Sequence, residues 1–228
     1  IDASNKDYRK VLIASASGGV FKSDNGGITW ESIFDNYGAG SIGSVKFDQN
    51  NLNTIWVGTG ESANRNSSAW GDGIYKSVDG GKTFKNMGLK STHQIAEIEI
   101  HPKNPDIIYA AAVGHLWGYS GDRGLFMTKD GGSSWNRVEG GLPNDGKTGC
   151  TEIIFHPENP DIMFAGFYHR LRQPASFVSG GEQGGLFKST DGGKNWKKIT
   201  TGLARGKSGM IDISIHLNNP KIMVMAYE

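Results

Sequence analysis

Apolar and polar positions along the chain alternate in short runs, and no stretch sustains a helical period. Residues 96–100 (Ala-Glu-Ile-Glu-Ile), which alternate, and 107–113 (Ile-Ile-Tyr-Ala-Ala-Ala-Val), an apolar run, predict strands. The segment between them, His101-Pro-Lys-Asn-Pro-Asp106, predicts a turn, because proline denies a ladder its donor and Asn and Asp satisfy local backbone groups. The same sequence of run, turn and run recurs at Phe155-His-Pro-Glu-Asn-Pro-Asp161 and Ile215-His-Leu-Asn-Asn-Pro220, and in degenerate form at Phe47-Asp-Gln-Asn-Asn51. A third apolar run follows each pair, for example 185–189, and a fourth, for example 195–199.

Between the third and fourth runs lies a second repeat. Ser23-Asp-Asn25-Gly-Gly27-Ile-Thr-Trp30 returns as Ser77-Val-Asp79-Gly-Gly81-Lys-Thr-Phe84. It returns again as Thr128-Lys-Asp130-Gly-Gly132-Ser-Ser-Trp135 and Ser189-Thr-Asp191-Gly-Gly193-Lys-Asn-Trp196. The first serines or threonines stand 54, 51 and 61 residues apart, the size of one supersecondary unit. In such a turn the Asp or Asn accepts backbone N–H groups, glycine permits positive φ, and the aromatic ring packs beneath the hairpin. Asn25, Asp79, Asp130 and Asp191, with Trp30, Phe84, Trp135 and Trp196, are therefore read as structural.

The expected fold is all-β: β-propeller blades, each a four-stranded antiparallel meander of about 50 residues. The blades are expected at about 1–36, 43–90, 95–142, 150–203 and, incomplete, 210–228. Both ends would then fall inside a blade, giving about four and a half blades of a larger propeller, with the remaining blades in the same or a companion chain.

Composition narrows the picture modestly. Thirty-four glycines without a collagen period fit many tight turns. A formal net charge of +1 over 228 residues gives no reason to expect nucleic acid as partner, and no apolar run reaches the ~20 residues of a membrane helix. One cysteine, Cys150, excludes an internal disulfide and a cysteine metal cluster, and reads as a small core residue at the start of a strand. His101, His156 and His216 share one repeat position in different blades, so a turn or packing role fits them and no metal site or cofactor is implied.

The repeats resemble the bacterial neuraminidase repeat, or Asp box, of sialidases, xyloglucan-degrading glucanases, sortilin-type receptors and a photosystem-assembly factor. Trp56-Val-Gly-Thr-Gly-Glu61, Arg65-Asn-Ser, Trp70-Gly-Asp-Gly-Ile-Tyr-Lys-Ser77, Gly114-His-Leu-Trp-Gly118 and Ser179-Gly-Gly resemble large bacterial sortilin-type propeller proteins, often labelled glycosyl hydrolases. That resemblance implies a secreted, cell-surface or periplasmic protein. The Phe/Tyr-Arg-Ile-Pro signature of sialidases is missing, and His169-Arg-Leu-Arg-Gln-Pro174 is a faint echo of it.

In a meander, loops alternate between the two ends of the sheet, so the strand 2–3 insertions lie opposite the Asp boxes. Irregular loops on a rigid scaffold are where function concentrates. Three insertions qualify: 59–72, 114–123 and 168–183, expected side by side around the ring centre. Their candidate ligand-binding residues are Arg65, Asn66, Trp70, His115, Trp117, Tyr119, Arg123, His169, Arg170 and Arg172. The aromatics would stack on sugars or clamp apolar side chains, and the arginines would hold carboxylates. Glu61, Asp72 and Asp122, with Glu182, are the acids a glycosidase would have to draw on. The leading expectation is a non-catalytic module for a peptide, protein or glycan; the alternatives are a secreted glycoside hydrolase and a structural module of a cell-surface assembly.

Overall fold

The structure, a computed structural model, describes residues 1–119, 122–204 and 206–228. Four sheets follow one another along the chain, each an antiparallel meander. The first holds β1 (Asp2–Ala3), β2 (Val11–Ser15), β3 (Gly19–Ser23) and β4 (Glu31–Ser32). The second holds β5 (Ile42–Asp48), β6 (Asn51–Thr59), β7 (Ile74–Ser77) and β8 (Lys85–Asn86). The third holds β9 (Ile95–Ile100), β10 (Ile108–Ala112), β11 (Gly124–Thr128) and β12 (Asn136–Arg137). The fourth holds β13 (Thr148–Phe155), β14 (Met163–Gln173), β16 (Gly185–Ser189) and β17 (Lys197–Lys198), with β15 (Ser176–Ser179) paired to the far end of β14. A two-stranded sheet of β18 (Ile211–Ile215) and β19 (Met223–Tyr227) completes the described residues. The helical content among them is one 3₁₀ turn, Lys90–Thr92. These are stacked propeller blades.

The core lies between sheets. Side chains alternate across a strand, so the central strands supply both neighbouring layers. Ile55 and Val57 of β6 pack with Leu12 and Val20 of the first sheet and with Phe34 just after it, while Trp56 between them packs with Ile95, Ile98 and Ile108 of the third. Tyr109 and Ala111 of β10 face Cys150, Ile153, Met163 and Phe167 of the fourth. Being buried on both faces explains the unbroken apolar run of the second strands. The first strands carry polar positions among the apolar ones, and β18 alternates buried–exposed throughout, Ile211, Ile213 and Ile215 inward. Their polar faces meet across blades, with Lys46 of β5 bridging Glu97 at 3.0 Å and Glu99 at 3.2 Å on β9. Burial lifts Glu99 to about 7 against the pull of Lys46. Burial, Glu97 and Asp212 lift Glu152 to about 9. The blades approach closely at this inner edge: a Cβ at Gly43 would sit 2.0 Å from the Ile95 carbonyl.

The four boxes share one hydrogen-bond plan. The opening Ser or Thr hydroxyl accepts the N–H of the second glycine, from Gly27, Gly81, Gly132 and Gly193, at 2.9–3.0 Å. It donates to Asn25, Asp79, Asp130 or Asp191 at 2.7–3.0 Å. That side chain in turn accepts the N–H four residues on, each at 2.9 Å. Both glycines of each pair hold φ between 67° and 95°, where a side chain is strained. Hydrogen bonds, first from the side chain four residues on, hold Asp79, Asp130 and Asp191 down to about 2.

Three sequence expectations change in detail. The fourth strands are two residues long, not the five of 195–199, because the box and the previous blade take the first donors: Asn195 N–H goes to Asp191 and Trp196 N–H to the Gly140 carbonyl. Cys150 lies inside β13, not at its start, fully buried in the layer between the third and fourth sheets. The stretch 168–183, read as an irregular insertion, is mostly a hairpin in which Arg170 pairs with Ser179 and Gln173 with Ser176. The turn histidines act through Nδ1: His101 accepts Lys103 and Asn104 N–H at 3.1 Å, and His156 and His216 accept the N–H two residues on. Asp48 does the same work in the second sheet, accepting Asn50 N–H at 2.8 Å.

Candidate functional site

The loops joining second to third strands project from the end opposite the boxes. Ser120 and Gly121 of the third-sheet insertion lie outside the described residues. The rest of the three insertions knit together, and two arginines do the knitting. Arg170, on β14, is fully buried and donates from Nη1 to the Ser62 carbonyl (2.5 Å) and Asn64 Oδ1 (2.9 Å) in the second-sheet loop. Its Nη2 donates to Gln94 Oε1 and the Gly114 carbonyl. Arg123, equally buried, donates to the carbonyls of Val113 (3.0 Å), Lys147 (3.2 Å), Gly118 (2.7 Å) and His115. Strand parity arranges the rest: Tyr168, Arg170 and Arg172 share one side of β14 and all reach Asn64. His169, on the other side, meets Tyr119, its Nε2 2.9 Å from the phenolic oxygen.

The arginines expected to hold ligand carboxylates thus divide. Among the described residues neither Arg123 nor Arg170 has a carboxylate contact, because their donors are aimed at loop carbonyls, the groups that inserted backbone most needs satisfied. Burial, then the charge of Arg123, lowers Arg170 to about 9. Arg65 forks onto a carboxylate within its own loop, Glu61 (2.5 and 2.6 Å), and keeps half its side chain in solvent. Arg172 lies over the Phe177 ring at 5.3 Å.

Aromatic rings form the outer surface. Trp70 is 61% exposed and tilts over His115 at 5.2 Å and His93 at 5.6 Å, and the two imidazoles are 4.9 Å apart. His93 holds φ 61°, a left-handed conformation that a non-glycine residue rarely adopts. Trp117 and Tyr119 are 41% and 46% exposed, and the Tyr119 ring lies 5.7 Å from both the Arg123 guanidinium and the Lys147 ammonium. Asn66 is exposed. Burial lowers His115 and His169 from the ordinary histidine range, so both rings are neutral at neutral pH.

The acids sit differently. Glu61 is 5% exposed and closed by Arg65. Asp72 is turned into its own blade, accepting the Tyr75 hydroxyl at 2.5 Å while its N–H goes to Thr59 Oγ1. Asp122 is half-buried, and Glu182 is exposed with its carbonyl on Lys198. No group of three or more His, Cys, Asp or Glu suited to a metal ion occurs among the described residues. Sequence reasoning did not single out His93, Gln94, Asn64, Lys147 or Tyr168. For His93 and Gln94 a signal existed, since the link between blades lies at the same end as the insertions. For Asn64 and Tyr168, partners across 104 positions, there was none.

Comparison with known proteins places this arrangement. The solved structure of an ancestral GH74 enzyme superposes with a TM-score of 0.66 at 23% identity, over 92% of this chain and 25% of that one. YCF48 from Cyanidioschyzon merolae superposes with a TM-score of 0.57 at 18% identity, over 91% of this chain and 61% of its own. At these identities the likeness is one of fold, the β-propeller. In sequence, the probable oligoxyloglucan-reducing end-specific xyloglucanase of Neosartorya fischeri is 25% identical over 169 residues, 68% of this chain. The chain spans 17% of the length of that relative, and of its counterpart from Emericella nidulans. The profile of the sortilin–Vps10 family (sortilin, neurotensin receptor 3) matches residues 72–226, from the second blade to the last described strand. With more than half of its length matched and its boxes stacked as propeller blades, the chain belongs to the sortilin–Vps10 family of Asp-box propellers.

Proposed function

We propose that this chain is the ligand-binding part of a secreted, cell-surface or periplasmic propeller, and that its insertion rim takes a peptide, protein or glycan without cleaving it. One observation carries the reading: the rim exposes flat aromatic faces at Trp70, Trp117 and Tyr119, while two of its four acids, Glu61 and Asp72, are held by internal partners. A general acid or nucleophile needs a carboxyl free to meet the scissile bond, with a second at about 5–5.5 Å or 6.5–9.5 Å. Buried Arg123 holds the backbone on either side of Trp117 and lies near the Tyr119 ring, and fixed rings lose less conformational freedom on binding.

The second reading, glycoside hydrolysis, is favoured by the relatives named as xyloglucanases. Incubating the chain with xyloglucan oligosaccharides and following new reducing ends separates the two. The expected result is no release above buffer. Release that disappears in Glu61→Gln, Asp72→Asn or Asp122→Asn would establish the hydrolase instead.

A further inference from the structure

The internal repeat exposes one interface that lacks a part present in its equivalents. The third strand carries a lysine just before the box serine in three sheets, Lys22, Lys76 and Lys188, but the third sheet has Met127 there. Two of the lysines reach the next blade: Lys22 Nζ donates to the Gly80 carbonyl at 3.3 Å and Lys76 Nζ to the Gly131 carbonyl at 3.2 Å. Each of those glycines is the first of its box pair, and each donates its own N–H to the first turn of its own blade, at the Asn53 and Asp106 carbonyls. Gly192 occupies the same place in the fourth box and donates in the same way to Asp161 at 3.0 Å. Among the described residues no ammonium donates to its carbonyl; Tyr109 Oη donates to it at 3.4 Å, a weak contact.

Two of these lysines also face an aromatic ring on the second strand, whereas Lys22 faces Leu12. Lys76 Nζ lies 4.9 Å from the Trp56 ring, and Lys188 Nζ 5.4 Å from the Phe164 ring. Tyr109 holds the corresponding position beside Met127. A cavity of about 430 Å³ opens at this interface, lined by Tyr109, Met127, Asp161, Met163 and Gly192. The corresponding groove beside Lys22 and Gly80 is about 250 Å³.

We propose that this vacated lysine niche binds a primary alkylammonium group. Its aliphatic stem would lie along Met127 and Met163. Its ammonium would donate to the Gly192 carbonyl and to the Asp161 carboxylate, over the face of Tyr109. The rim carries Lys129, Arg137 and Lys194 against Glu139, Asp161 and Asp191, so recognition rests on these placed acceptors rather than on net field. The site is independent of the insertion rim at the other end of the blades.

The test uses the full chain labelled with ¹³C at the methionine methyls, titrated with n-butylammonium and, separately, with N-acetyl-lysine methylamide. N-acetyl-norleucine methylamide is the uncharged control. The expected result is saturable shifts of Met127 and Met163 with an ammonium probe and none with the control. The tighter of the two probes identifies a free amine or a lysine side chain as the source. Asp161→Asn should weaken binding on the order of tenfold, the loss of one charge-assisted contact. Met127→Lys, which restores the repeat, should abolish the Met163 shift and raise the unfolding midpoint. No saturable shift with either ammonium probe, equal shifts with the norleucine control, or undiminished binding to the Met127→Lys chain would each overturn the proposal.

Discussion

At the scale of single residues, the molecule repeats one solution and departs from it where chemistry intrudes. The box carboxylates, held near 2 against an ordinary 3.8, stabilise the fold above that ordinary value, and the contribution is lost as pH falls towards 2. Box one shows that an amide suffices for the acceptor role, since Asn25 keeps the bond to Thr29 N–H and turns its Nδ2 onto Thr29 Oγ1. Asp79→Asn should therefore lower the thermal midpoint less than Asp79→Ala, which leaves the Thr83 N–H without its acceptor; parallel thermal melts at pH 7 check the order. The buried inner-strand acids have the opposite sign. Glu152, lifted from 4.5 to about 9, favours the folded state most below its unfolded pKa, and that advantage is lost as pH rises through 9. Glu152→Gln should therefore gain stability over the wild type at pH 9.5 and show little difference at pH 4; chemical denaturation at the two values measures this. His101, His115 and His169, lowered by burial, work against acid: their contribution is whole above 6.5 and falls away below it.

At the scale of elements, what the sequence makes legible is what repeats. The boxes and the His-Pro turns mark strand order, and strand order places insertions and boxes at opposite ends. The fourth strands came out shorter than their apolar pattern because backbone donors such as Trp196 N–H are claimed from another blade, which no local pattern records. The hairpin at 170–179 was hidden for a related reason: its polar alternation, Arg-Leu-Arg-Gln, reads as loop, yet β14 simply runs on past the sheet. The insertion arginines were legible as important and not as buried, since burial depends on carbonyls from three loops meeting at one point. Energetically the interblade layers dominate. Phe167, fully buried between the third and fourth sheets beside Cys150, should cost about 3–5 kcal/mol when replaced by alanine. Cys150, whose thiol burial pushes up and shields, is the reporter: the Phe167→Ala chain should react with a thiol-alkylating reagent many-fold faster than the wild type.

At the scale of the whole molecule, stacked sheets give a stiff body with two unlike ends. The box end is uniform because each hairpin closes a blade against its predecessor, and it departs from uniformity where Met127 replaces lysine. The insertion end is irregular, cross-linked by two buried guanidinium groups and surfaced with aromatic rings. The contrast between exposed rings and internally bonded acids is what turns the reading towards recognition. The direct measurement is binding of the full chain to a combined glycan and peptide array, with Trp70→Ala/Trp117→Ala/Tyr119→Ala and Glu61→Gln/Asp72→Asn/Asp122→Asn chains alongside. The account predicts signals that the aromatic variant loses and the acid variant keeps. Signals that survive loss of the three rings, or vanish with the three acids, would contradict it.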